Sequence, residues 1–175
     1  MSGSSSTAPD SPLLVVIDGP AGAGKTTVAR RVAEALSLPL LDTGAIYRTL
    51  ALVAHRRGVP WTDDAGLSAL ATDFPIAFEQ TPGAGQIVRF GGEDVSAAIR
   101  TPEMSQGASK VSALPGVRKA LLGIQRALGA TGCVAEGRDM GTVVFPDARH
   151  KFFVTADLQA RAQRRRGDLV AAAPT

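Results

Sequence analysis

Leu13-Leu14-Val15-Val16-Ile17-Asp18-Gly19-Pro20-Ala21-Gly22-Ala23-Gly24-Lys25-Thr26 decides how the rest of this chain is read. Its first five residues form a continuous apolar run bounded by Pro12 and by Gly19-Pro20. Such a run fits a strand buried on both faces, as in a parallel sheet. After Thr26 the period changes. Val28, Ala29, Val32, Ala33 and Leu36 share one helical face, with Arg30, Arg31 and Glu34 opposite. Between strand and helix, Gly19 to Thr26 matches G-x-x-x-x-G-K-[ST] in the context that motif requires. Glycines let main-chain N–H groups turn toward a polyphosphate, and the helix that follows presents its positive end. Lys25 adds a point charge able to reach the β- and γ-phosphates, and the Thr26 hydroxyl is a candidate Mg²⁺ ligand. The plain alternative is a Gly-rich turn with an accidental lysine, and the strand before it and the helical period after it weigh against that.

Outward from this motif the pattern repeats. Pro39-Leu40-Leu41 is a second strand candidate, and Ile46, Leu50, Val53 and Ala54 mark a helix stopped by Gly58 and Pro60. Strand, helix, strand, helix at this spacing signals an α/β fold with parallel strands. The middle departs from it. Thr62 to Thr72 reads as a short capped helix. Ile76–Glu79 and Gln86–Phe90 read as two strands joined by Thr81-Pro82-Gly83-Ala84-Gly85, an inserted antiparallel unit. Val117, Leu121, Ile124 and Leu128 keep helical spacing, so Pro115 to Leu128 is expected to be a helix. Cys133-Val134-Ala135 and Phe152-Phe153-Val154 are further core strand candidates, and Ala160 to Arg166 is a closing basic helix.

Composition bounds the function. With 175 residues, 45% of them hydrophobic and 20% charged, the chain suits one soluble domain with a real core, not a disordered or fibrous protein. One cysteine, Cys133, excludes an internal disulfide framework, and two histidines, His55 and His150, argue against a His-based metal site. The first twelve residues are Ser-rich without a basic or apolar segment, so they read as a disordered lead-in and not a secretory signal. No run approaches the roughly 20 apolar residues a bilayer span needs, so a cytoplasmic setting is the default and no membrane partner is expected. A net charge of +3 is too small to argue for nucleic acid, although it suits an anionic small molecule.

Among proteins with such a phosphate loop, a switch GTPase would carry N-K-x-D, which is absent, and an ATPase motor would need a longer chain. The chain does offer Arg48, Arg118 and Arg138 near glycines or strand ends, and guanidinium forks bind phosphate bidentately. Taken alone, each arginine is more often a solvated surface residue. Arg138 is the exception, because Glu136-Gly137-Arg138-Asp139 follows a strand directly, where ligands of α/β sheets bind.

Three blocks resemble bacterial cytidylate kinase. The first is Ile17-Asp18-Gly19-Pro20 leading into Gly24-Lys25-Thr26-Thr27, followed by Leu41-Asp42-Thr43-Gly44-Ala45-Ile46-Tyr47-Arg48. The second is Gly92-Glu93-Asp94-Val95-Ser96 with Ile99-Arg100-Thr101, and the third runs from Glu136-Gly137-Arg138-Asp139 to Phe145-Pro146-Asp147-Ala148. The resemblance covers about residues 13–166. It implies a nucleoside monophosphate kinase domain over that range, in three layers: a parallel sheet between helices, with an antiparallel and helical insert of about 62–112 over the monophosphate. It implies the reaction ATP + CMP (or dCMP) to ADP + CDP (or dCDP), with Mg²⁺; separately, a monomer is expected. By the same resemblance Gly19, Pro20, Ala21, Gly22, Ala23, Gly24, Lys25, Thr26 and Thr27 hold the ATP phosphates, with Thr26 toward the metal. Arg48 and Arg138 grip the CMP phosphate, and Lys25 and Arg138 act on the transferred group. Thr43, Ser109, Arg118 and Asp139 surround the nucleoside, the last two reading the cytosine edge. For Asp18 and Asp42 two roles stay open, orienting water near Mg²⁺ or structural hydrogen bonding.

The family pattern continues past Thr175 with a lid carrying further arginines and an aspartate, then a strand and a helix. Residues 167–175 are accordingly read as the start of a truncated lid. The expectation that follows is an exposed sheet edge, weak nucleotide binding and low turnover. The rival readings are a lid-less nucleotide-binding fragment and a kinase of another small phosphate acceptor.

Overall fold

In the computed structural model, which describes residues 12–81 and 85–171, the opening apolar run becomes β1 (Leu14–Asp18), with four of its five residues buried. Gly24, at φ 93°, turns the chain into α1 (Lys25–Leu36), which ends at Ser37. β2 (Leu40–Asp42) leads without a break into α2 (Thr43–Arg56), where the Asp42 carboxylate accepts the Ala45 N–H at 3.0 Å and caps the helix. Then come α3 (Asp64–Ala71), the strands β3 (Ile76–Thr81), β4 (Gly85–Phe90) and β5 (Glu93–Asp94), and the helices α4 (Pro102–Val111) and α5 (Pro115–Leu128). β6 (Cys133–Gly137), a single π-helical turn (Met140–Val144), β7 (His150–Phe153) and α6 (Leu158–Ala171) complete the order.

The main sheet runs β2-β6-β1-β7 with every pairing parallel. Alternation along its central strands feeds two cores. Val16, Leu41 and Ala135 point to one face, where Ile46 and Leu50 of α2 and Leu121 of α5 cover them. Val15, Ile17, Leu40 and Val134 point to the other, against Ala29 and Ala33 of α1. Helices therefore flank both faces, and each fully buried aliphatic side chain among these contributes about 2 kcal/mol. The expected hairpin is present as an antiparallel pair with Phe78 opposite Val88, extended by β5. Gln86 Nε2 donates to Leu40 O at 2.6 Å, which ties this small sheet to the β2 edge. No helix among the described residues is long and apolar enough to cross a membrane.

Two features differ from the sequence reading. Phe152-Phe153-Val154 was expected in the core, yet β7 is the sheet edge and leaves Phe152 55% and Phe153 71% exposed. The composition of that run matches a buried strand, but its position decides burial. The helix α4 was not anticipated. Pro102 stands in its first turn and Thr101 accepts the Met104 N–H, a regular helix start. Its apolar face is thin, because a Cβ on Gly107 would come within 2.8 Å of Ala51 and Trp61. The closing helix α6 spans the expected basic segment 160–166 and residues 167–171 of the expected lid start. The lead-in up to residue 11, the hairpin connection at 82–84 and the last four residues lie outside the described residues.

Candidate nucleotide site

The phosphate loop leaves β1 at Gly19, whose φ of 149° and close packing admit no side chain: a Cβ there would meet Val154 O at 2.0 Å. Gly22 at φ 74° turns the loop back, and Lys25 Nζ reaches across it to donate to Pro20 O at 2.9 Å. Partial burial lowers the Lys25 pKa, and the nearby Glu136 carboxyl opposes that shift. The Thr26 hydroxyl donates to Glu136 Oε2 at 3.0 Å. Glu136 is only 4% exposed, and its other oxygen, Oε1, is buried without a hydrogen-bond partner. Burial first, and then the Asp42 charge, push the Glu136 carboxyl up to about 7, with Thr26, Lys25 and Arg48 pulling the other way.

This loop forms one wall of a cavity of about 720 Å³ whose other walls come from α2, α4, α5, the end of β6 and the start of α6. Ala21, Gly22, Lys25, Thr26, Thr43, Arg48, Ser109, Arg118, Arg138 and Asp139 line it. Gly19, Pro20, Ala23, Gly24 and Thr27 do not, because they build the loop from behind, and Thr27 faces outward on α1.

The polar residues are largely committed. Arg48 pairs with Asp42 at 2.8 Å, and the Arg118 guanidinium is hydrogen-bonded to the Asp139 carboxylate. The Thr43 hydroxyl is buried and donates to Glu136 O at 2.7 Å, while the Ser109 hydroxyl bonds back to Ser105 O within α4. Arg138 is exposed and makes no hydrogen bond or ion pair within the described residues. For the two aspartates with open roles, the structure shows bonding within the fold. Asp18 accepts the N–H groups of Met140 and Gly141, and Asp42 caps α2 and holds Arg48.

Among the lining residues given no role from sequence, Glu136, Tyr47 and Arg161 carry polar chemistry into the cleft. Glu136 stands in the quoted block before Arg138, but its burial depends on β2 and β1 closing on either side. Tyr47 lies beside Arg48 on α2, and burial raises its pKa. Arg161 comes from α6, and its Nε donates to Ala21 O at 2.9 Å, seating that helix against the phosphate loop. No local signal marks Arg161, because only the tertiary fold brings residues 21 and 161 together.

Comparison with known proteins gives this cleft its relatives. The family model "Cytidylate kinase" matches residues 15–175. A cytidylate kinase of Syntrophotalea carbinolica is 50% identical over 154 residues, which is 87% of this chain and 65% of that one. A cytidylate kinase of Pseudomonas syringae pv. tomato is 51% identical over 154 residues, 87% of this chain and 67% of that one. A third, from Symbiobacterium thermophilum, is 49% identical over 154 residues and is covered to 68%. The chain thus spans about two thirds of the length of these three relatives, and about a third of the bifunctional pantoate ligase/cytidylate kinase of Synechococcus sp. that it also matches. The match takes in the phosphate loop, the arginine-bearing walls and the small antiparallel sheet together, and by it the chain belongs to the cytidylate kinase family.

Proposed function

We propose that this chain transfers the γ-phosphoryl group of ATP to CMP or dCMP, forming ADP and CDP or dCDP. One observation carries the reading: Lys25 and Thr26 face Arg48, Arg118 and Arg138 across a single cavity of about 720 Å³, large enough for two nucleotides' phosphates to meet. We take the active species to be a monomer, and the buried free thiol of Cys133 suits a reducing compartment such as the cytoplasm.

The chemistry needs little from the protein beyond position and charge. The acceptor is already a phosphate anion, so no dedicated base is required, and in-line placement with charge neutralisation supplies most of the rate. Main-chain N–H groups of the loop and Lys25 hold the donor phosphates, while the unengaged guanidinium of Arg138 lies free for the group in transit. Arg48, kept in place by Asp42, takes the acceptor phosphate. Thr43 and Ser109 lie beside the nucleoside.

The donor set also fits Mg²⁺, which would be held by Thr26 and Glu136 and would supply charge neutralisation for the phosphates when bound. The Thr26 hydroxyl and the unpartnered Glu136 Oε1 are adjacent hard oxygens, and Mg²⁺ characteristically takes few protein ligands beside phosphates and waters.

Selectivity follows from the bonded pair Arg118 and Asp139. Cytosine presents acceptors at O2 and N3 and a donor at N4, complementary to guanidinium donors beside a carboxylate acceptor. Uracil reverses the pattern at N3 and at position 4, which leaves polar groups unpaired. With Mg²⁺-ATP, CMP and dCMP are expected to be phosphorylated at least about 100-fold more efficiently than UMP or AMP. Equal use of all four in a coupled assay would overturn the cytosine reading.

A further inference from the structure

We infer that Asp18 is the positioning residue that holds Arg138 and Asp139 at the cavity by pinning both ends of the short arch they form, a claim that rests on the kinase reading above. Main-chain pairing places Asp18 opposite Gly137 at the end of the β1–β6 ladder. The chain then leaves the sheet for two residues, Arg138 and Asp139. It is caught again at once, because Met140 N–H donates to Asp18 Oδ1 at 2.8 Å and Gly141 N–H to Oδ2 at 2.9 Å. One residue therefore anchors the arch on both sides.

Asp18 is 9% exposed and has no ion-pair partner among the described residues, so these two amides are what its carboxylate oxygens bond. Removing one acceptor oxygen of the carboxylate would break one of the two bonds that hold the Met140–Gly141 end of the arch. Two consequences follow for the site. The Arg138 side chain is unbonded, so the location of its main chain is what sets the reach of its guanidinium. Asp139 holds Arg118, so movement of the arch also disturbs that pair. Asp18 directly precedes Gly19, so a single side chain fixes the spacing between the phosphate loop and the arch.

The test is Asp18→Asn, which keeps the shape and one acceptor but turns an NH₂ group toward an N–H donor. Amide exchange at Met140 or Gly141 is expected to quicken about tenfold or more, while Val16 in the sheet ladder stays protected. CMP affinity by titration calorimetry and kcat are each expected to fall about tenfold, with the KM for ATP held within about threefold. Asp63→Ala removes the cap of α3 and serves as the stability control, lowering Tm while leaving kcat and CMP affinity unchanged. A folded Asp18→Asn protein with wild-type CMP affinity and kcat, or with unchanged exchange at both amides, would overturn the inference. Should that variant fail to fold, Asp18→Ser keeps one acceptor oxygen and carries the same measurements. A wild-type chain that neither binds nor phosphorylates CMP would sink the kinase reading instead, and exchange at Met140 and Gly141 would then decide the pinning by itself.

Discussion

On one wall of the cavity, Gly19 to Thr26 takes its shape from the main chain: positive φ at Gly19, Gly22 and Gly24, a closed approach at Val154 O, and a lysine folded over Pro20 O. On the other, Arg48, Arg118 and Arg138 arrive from α2, α5 and the end of β6, and side-chain partners orient the first two. The first wall depends on backbone conformation and on one cation. The second depends on pairs of charges drawn from distant parts of the chain. Damage to the two walls should therefore read out differently.

The largest effects should separate them. Lys25→Ala is expected to lower phosphoryl transfer about 1,000-fold and to weaken ATP binding as well. Arg138→Ala should cost about 100-fold in kcat while ATP affinity stays within about threefold. Equal loss of ATP affinity in both variants, measured by calorimetry, would erase the division between the walls.

Gly19→Ala probes the main-chain wall without touching charge. The added Cβ would meet Val154 O at 2.0 Å at a φ that side chains rarely adopt, so a loss of about 3 kcal/mol in urea unfolding is expected. Unchanged stability would mean that the loop yields more readily than its packing implies.

The smallest effect concerns the carboxyl between the walls. Glu136 is raised from 4.5 to about 7 by burial. Between those values the folded chain keeps a proton that the unfolded chain has released, so stability falls as pH rises through this window and levels off above it. Glu136→Gln should remove that slope and gain about 2 kcal/mol on wild type between pH 5 and pH 8, since each unit of the raised pKa is worth about 1.4 kcal/mol. Parallel slopes for both proteins in denaturant titrations would show that Glu136 is ionised throughout.

Legibility in the sequence followed the range of the interactions involved. β1, the loop and α1 were readable because a buried strand, three glycines and a helical period are local signals. The hairpin of β3 and β4 was readable for the same reason. The helix α4 was missed because Gly107 takes the place of an apolar side chain on its packed face. Phe152 and Phe153 misled because aromatic content reports strand propensity and cannot report a place at the sheet edge. The individual arginines could be nominated from sequence, but the pairings of Arg48 with Asp42 and of Arg118 with Asp139 could be seen only in the fold.

The sequence by itself determined the phosphate loop, the α/β class and the family, because each is written in residues that lie close together along the chain. Only the tertiary structure decided that Glu136 is buried beside Thr26, that Arg161 meets Ala21, and that Asp18 reaches Met140 and Gly141. Those contacts join residues more than a hundred positions apart, and no local pattern encodes them, because they exist only once the sheet has placed its strand ends side by side.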